Sequence, residues 1–416
     1  MLNVVTTPAE LYRERLKRIE DAVEAKKPDK VPILTEFGYF VARYSGITYQ
    51  DFVYDFIKCA KAYDKIVTEL EPDVFHCLPF DSGPALETIG TNTVKWPGHG
   101  LGLNIGHQYV EGEYMLADEY DSLLEDPTGF MLRTYLPRTC QTLQVCRALP
   151  DPVDYFGFTR GFISPVFSEA EFVAACQAIF KASQVSREWN IAWQTFVKDI
   201  EEKGYPAITM IGGQAPFDFF SDHLRGMRGI MLDMHRQPDK LLAAMDSILP
   251  VLIRRIKKLT RMNRNGLVFM GPHRGAEGFM SLKQYEKFYW PGMKSIILAV
   301  IESGFTPYVL WEGDYTSRLK YLAELPAGKI IHRMDKTDLF QAREVLGANH
   351  CLAGGMSPSL LKTGSVPKVK DECKRLIEGV GRDGGYIMSH SVPLDDAKLD
   401  NIRAMIETTR EYGIYH

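Results

Sequence analysis

The chain lacks an excess of charge of either sign. Forty-nine Lys and Arg stand against 53 Asp and Glu, a net charge of −4 over 416 residues, with a pI near 6.2. That balance offers no basic field to recruit nucleic acid or an anionic membrane surface. No apolar run approaches the ~18 uninterrupted residues of a membrane span. Residues 1–27 are charged and amphipathic and have no apolar core of the kind a signal peptide needs. A cytoplasmic protein is expected. Cysteine is sparse: seven residues, scattered, with no CxxC pair, and Cys140 and Cys146 are six apart, which is not zinc-ribbon spacing. Reduced and mostly buried thiols are expected. No GxGxxG or GxxxxGKS follows a strand-like segment, so nothing signals a dinucleotide or nucleoside triphosphate site.

What is present is an ordinary globular composition, 45% hydrophobic and 25% charged, with a mean hydropathy of −0.17. Strand-like and helix-like patterns alternate along it. PDKVPILTEFG reads as a first strand ending at Glu36, followed by a helix over residues 49–70. PDVFHCLPFD is a second strand, carrying His76 and ending at Asp81. Residues from about 82 to 200 break the rhythm and read as an inserted cap: a short β segment near Lys95 to Val110, then helices. The alternation resumes with strands at Pro206–Gly213, Leu267–His273, Phe305–Asp314, Gly328–Asp335, NHCLAGGM and Gly384–His390. Eight strands alternating with helices imply parallel pairing through right-handed crossovers. The expected fold is an α/β (β/α)8 TIM barrel, one domain over residues 1–416 with the cap embedded in it.

In such a barrel the C-terminal strand ends face the pocket. Those ends carry Glu36, Asp81, the Gly213-Gln214 turn, His273, Glu312, Asp335 and His390. Histidines and carboxylates converging in this way suit acid–base chemistry or a metal site. Glu312, closing the apolar run FTPYVLWEGD, is the first candidate. Each residue also has a plain structural reading. Glu312 can cap the next helix or pair with an Arg; His273 can bond a turn carbonyl; Asp335 can pair with Arg333 or Lys336; His390 can be a loop residue. His76 and His332, inside strands, read as core histidines. Phe37, Tyr39, Phe217, Trp290, Tyr308 and Trp311 are ordinary core residues singly, but grouped around one mouth they suggest a flat or apolar substrate.

The segments APFDFFSDHLRGMRGIMLDMHRQPDKL, GFMSLKQYEKFYWPGMKSII, CLAGGMSPSLLKTGSVPKV and PLDDAKLDNIRAMIETTREYG, in this order, resemble the uroporphyrinogen decarboxylase superfamily of (β/α)8 barrels. Decarboxylases of that superfamily carry an arginine-rich RQAGR-type motif after the first strand. Here TEFGYFVARYSG stands in its place, and Arg43 alone is a thin supply of cations for a substrate with many carboxylates. The cobalamin-dependent methyltransferases of the superfamily carry an HxCG motif and a later GC that hold zinc. Here Leu310-Trp311-Glu312-Gly313 replaces the first, and the later Cys falls at or beside His390-Ser391. Both thiolate positions are lost, so thiol methylation is not expected. A harder set remains (His273, Glu312 and His390), which can bind zinc through nitrogen and oxygen.

The resemblance therefore implies a methyltransferase that moves a methyl group from an O-methylated small molecule, such as a methoxylated aromatic, to the cobalt of a partner corrinoid protein. Glu312, His390, His273 and Asp335 are expected to be catalytic, and Glu36, Tyr39, Phe217 and Trp311 to contact substrate. The expected cofactors are the partner's corrinoid and zinc. The alternatives are a decarboxylase of a smaller acid and a non-catalytic ligand-binding barrel. Oligomeric state is open, a homo-oligomer included.

Overall fold

The computed structural model describes residues 6–77, 81–155, 164–209, 212–260 and 265–416. Eight of the eleven described strands are the barrel staves: β1 (Leu34–Glu36), β2 (Val74–His76), β6 (Ala207–Ile208), β7 (Leu267–Met270), β8 (Thr306–Trp311), β9 (Ile331–Met334), β10 (Cys351–Met356) and β11 (Tyr386–His390). The other three, β3 (Val94–Pro97), β4 (Gly100–Leu101) and β5 (Gln108–Tyr109), form a small sheet of their own, over the stretch expected to be β. The staves pair in parallel as β1-β2-β6 and β11-β10-β9-β8-β7. Both gaps between the two sheets are bridged: Ile33 lies parallel to Met388, and the Gly212 amide donates to the Phe269 carbonyl at 2.7 Å. The sheet order is thus the chain order, as right-handed crossovers require.

Period-two alternation sorts the side chains into two layers. Leu34, Val74, Ile208, Leu267, Tyr308, Ile331, Cys351 and Ile387 point inward as one cluster, which Ile19, Ala22 and Val23 of the helix Pro8–Val23 join. Most of those inward residues open their strands, so the N-terminal helix plugs the floor of the barrel. The opposite faces of the staves pack against the surrounding helices in a larger cluster that includes Trp311, Met334, Met356 and Met388.

Where helices begin, the sequence supplies the donors' partners. Ser281 and Gln284 form a capping box, and Asp338 accepts from the amides of Phe340 and Gln341. The helix expected over residues 49–70 is two helices, Tyr49–Tyr54 and Phe56–Leu70. Asp55 breaks it by taking an extended backbone (φ −122°) and accepting from the Lys58 amide at 3.0 Å. A continuous apolar periodicity hid this internal cap. The third strand was expected over Pro206–Gly213; its described part is Ala207–Ile208, and Met210 and Ile211 lie outside the described residues. No described helix is long and apolar enough to cross a membrane.

Candidate active site

Two layers of ionisable groups stand at the C-terminal ends of the staves. The lower layer is a buried ion cluster. Arg333, fully buried on β9, points inward and donates to Glu36 Oε2 (2.5 Å), the Tyr308 hydroxyl (2.9 Å) and the His390 carbonyl (2.9 Å). The Nδ1 of His76 stands 3.2 Å from Glu36 Oε1, without hydrogen-bond geometry, and its ring lies 4.2 Å from that of Phe269. Burial works to raise the Glu36 pKa, but His76 and Arg333 overcome it and hold the carboxyl well below its ordinary range. Glu36 is therefore an anion already engaged, which limits its expected role as a substrate contact.

His390 belongs to the same layer. Its Nε2 accepts from the Glu36 amide at 2.9 Å, and its Nδ1 lies 2.6 Å from the Val392 carbonyl. That pattern fixes a neutral tautomer with a proton on Nδ1. Burial, with Arg333 beside it, lowers the pKa to about 3. With both ring nitrogens committed, His390 organises the strand end; it is not the acid or ligand expected from the sequence.

The upper layer is built around Glu312, which follows β8 and points inward. Its carboxyl accepts no hydrogen bond from any described residue. Burial raises its pKa, His273 opposes that, and Asp335, Glu36 and Asp222 add to the rise. Gly313 next to it takes φ +89°, and a Cβ there would come within 2.8 Å of the Ala276 methyl, so only glycine fits this turn. Asp335 Oδ2 clamps the turn by accepting from the Gly313 amide at 2.9 Å. Asp335 is thereby bonded into the turn that carries Glu312.

His273 faces this carboxyl from the loop after β7. Its Nδ1 lies 2.6 Å from Asp222 Oδ2. Burial alone would lower its pKa, yet Asp222, with Asp218 and Glu312 behind it, raises it to about 9. The imidazole is an imidazolium at neutral pH. Asp218 and Asp222 lie four residues apart on the helix Pro216–Phe220 and the π-turn Ser221–Arg225 that continues it. Asp218, fully buried, accepts from the amides of His273 and Arg274 and from the Tyr289 hydroxyl (2.6 Å), and burial pushes it up to about 6.

The expected aromatic walls divide. Phe217 and Trp311 are fully buried in the outer core, where Trp311 donates from Nε1 to His332 Nδ1 at 3.1 Å. Neither lines the mouth, which corrects the sequence reading: Glu312 faces in, so its neighbour faces out. Tyr39, three residues past the end of β1, is also buried (8% exposed) but lies at the C-terminal end of the staves. It stacks on Tyr49 at 4.5 Å, its hydroxyl lies 3.0 Å from His107 Nδ1, and its amide donates to Asp395 at 2.7 Å. The sequence reading took Arg333 only as a partner for Asp335, whereas it pairs with Glu36, and missed Asp218, Asp222 and His107. Only the two Asp had a legible signal, their one-turn spacing after a strand and Gly-Gln turn.

The zinc set His273, Glu312 and His390 does not gather. Among the described residues no three His, Cys, Asp or Glu side chains stand together as metal ligands, and His390 has no free nitrogen. The residues present do not fit the metal, so no step is derived through it.

Fold and site together define an α/β barrel with an acid–base cluster at the strand ends. The model of the uroporphyrinogen decarboxylase (URO-D) family matches residues 191–412, more than half of the chain, and the chain belongs to that family. A solved methyltransferase from Methanosarcina mazei shares the fold, with a TM-score of 0.62 at 16% sequence identity, over 96% of this chain and 98% of that one. A comparison with curated proteins gives no match.

Proposed function

We propose that the protein is a methyltransferase that removes a methyl group from an O-methylated small molecule and delivers it to a corrinoid on a partner protein. The observation that carries the reading is Glu312, a strand-end carboxyl without a hydrogen-bond partner among the described residues, held protonated longer than an ordinary Glu and facing an imidazolium. A methyl ether resists cleavage because its leaving oxygen is a poor anion; protonating that oxygen as the bond breaks lowers the barrier. Glu312, whose proton burial holds more tightly than usual, is the group placed to give it. The fold shared with a methyltransferase agrees with the reading.

A reduced corrinoid would supply the electron pair that takes the methyl carbon. The barrel's own residues do the rest. Tyr39 and the mouth hold the ether with its methyl group outward. As the carbon–oxygen bond breaks, its electron pair stays on oxygen and the Glu312 proton goes to it, giving the alcohol or phenol. The carboxylate left behind is stabilised by the imidazolium of His273, which Asp222 keeps charged. Asp335 holds the turn that aims Glu312.

The test is to incubate the protein with a methoxyarene and a reduced corrinoid protein and to measure the phenol by mass spectrometry. Phenol should appear only when all three are present. Phenol formed without the corrinoid protein, or none from any methyl ether, contradicts the reading.

A further inference from the structure

Two buried histidines on the outer face of the barrel take no part in the proposed reaction. His332 lies inside β9 and His350 immediately before β10, with 0% and 5% of their surfaces exposed. They form a chain with the last residue of β8. The Trp311 indole donates from Nε1 to His332 Nδ1 at 3.1 Å, and His332 Nε2 lies 3.1 Å from His350 Nδ1.

The donor at one end fixes every proton along this chain. An indole N–H can only donate, so His332 Nδ1 must be bare and its one proton must sit on Nε2. That proton goes to His350 Nδ1, which leaves the His350 proton on Nε2. Both rings are therefore neutral, each in a single tautomer. Burial disfavours the charged form of both, with His350 and Arg343 adding to the effect at His332 and Arg343 at His350. Satisfying a buried indole N–H takes one acceptor; here the acceptor is itself locked by a second ring.

What the chain holds is one residue away from Glu312. Trp311 precedes that carboxyl, and Gly313, which follows it, has its amide on Asp335 Oδ2 at 2.9 Å. Both neighbours of Glu312 are thus bonded by side chains of β9 and the turn after it. The Lys336 amide on the Gly313 carbonyl (3.1 Å) and the Tyr315 amide on Thr337 Oγ1 (2.7 Å) hold the turn beyond Glu312, whereas the indole bond holds the strand before it. Neighbouring residues of a strand face opposite sides. A roll of β8 that drew Trp311 out of its place would swing Glu312 away from His273.

We infer that His332, oriented by His350, is a positioning residue that aims Glu312 into the barrel through Trp311. The expected effect on rate rests on the methyltransferase reading; the expected effect on the carboxyl does not.

The test titrates the Glu312 carboxyl by NMR in the full chain with isotope-labelled glutamate, its resonance identified by its loss in Glu312→Gln. In wild type the midpoint should lie above the ordinary value of about 4.3, raised by burial. His332→Leu, which leaves the indole N–H without its acceptor, should bring the midpoint back toward that value as the carboxyl leaves its buried place. His332→Asn should keep the wild-type midpoint, because an asparagine Oδ1 can stand where Nδ1 stood. His350→Leu should shift it in the same direction as His332→Leu and carries the test if that variant fails to fold. In the methyl-transfer assay both Leu variants should lose about tenfold or more in kcat, with KM within about twofold of wild type. A midpoint unchanged in the Leu variants overturns the inference, and so does a His332→Asn that behaves like His332→Leu, which would make the chain plain packing. A wild-type rate in a variant whose midpoint has moved overturns Glu312 as the acid, not its positioning. A wild type that moves no methyl group overturns the methyltransferase reading, and the titration still decides the inference.

Discussion

Asp222 decides the charge of His273. With that carboxylate 2.6 Å away the imidazole pKa is raised to about 9; Asp222→Asn should return it toward its ordinary value near 6.5, which histidine NMR titration reads directly. The linkage follows from the sign. A histidine raised in the folded state adds stability that is full below about pH 6.5 and is lost as the pH rises through about 9. The stability gap between wild type and Asp222→Asn should therefore close above pH 9. A gap unchanged from pH 6 to 10 would place the stabilisation elsewhere. At this scale the sequence was partly readable. Glu312 and His273 stand out because a polar residue ending an apolar strand marks the pocket end of a stave. Trp311 was misplaced because a side-chain period of two puts neighbouring residues on opposite faces. Arg333 was illegible: its partner Glu36 is 297 residues away in the chain, and no local pattern reports such a pair.

Among the elements, β1, β9 and β11 are locked by the Glu36–Arg333–His390 cluster. Removing one partner of a buried ion pair strands the other, which costs about 3–5 kcal/mol. Arg333→Met should lower the denaturant-unfolding free energy by that amount, and adding Glu36→Gln should recover part of the loss. A cost below about 1 kcal/mol for the single change would mean the cluster is solvated in solution. The pH trend has the opposite sign to that of His273: Glu36 is depressed, so its contribution is present above its unfolded pKa of about 4.3 and fades as the pH falls below it. The staves and their helices were legible from alternation and turn residues. The cap at Asp55 was not, because an Asp between two apolar helical runs reads equally well as one solvated position on a single helix.

For the molecule as a whole, the floor and the mouth of the barrel divide the labour. The floor is apolar and closed by the N-terminal helix; Ile19 is fully buried there, and Ile19→Ala should cost about 2–5 kcal/mol as a core truncation while leaving kcat/KM at the mouth unchanged at temperatures where the variant is folded. In the proposed reaction the chemistry belongs to the mouth, with Glu312 as its acid. The direct measurement mixes the protein, a reduced corrinoid protein and a methoxyarene and follows the cobalt absorption change that accompanies methylation. Wild type should give a substrate-dependent change. Glu312→Gln should slow it by at least about 100-fold, the usual weight of a general acid, with unfolding stability within about 0.5 kcal/mol of wild type because no described hydrogen bond is lost. A variant as fast as wild type, or CO2 released from a carboxylic acid with no cobalt change, would contradict the account.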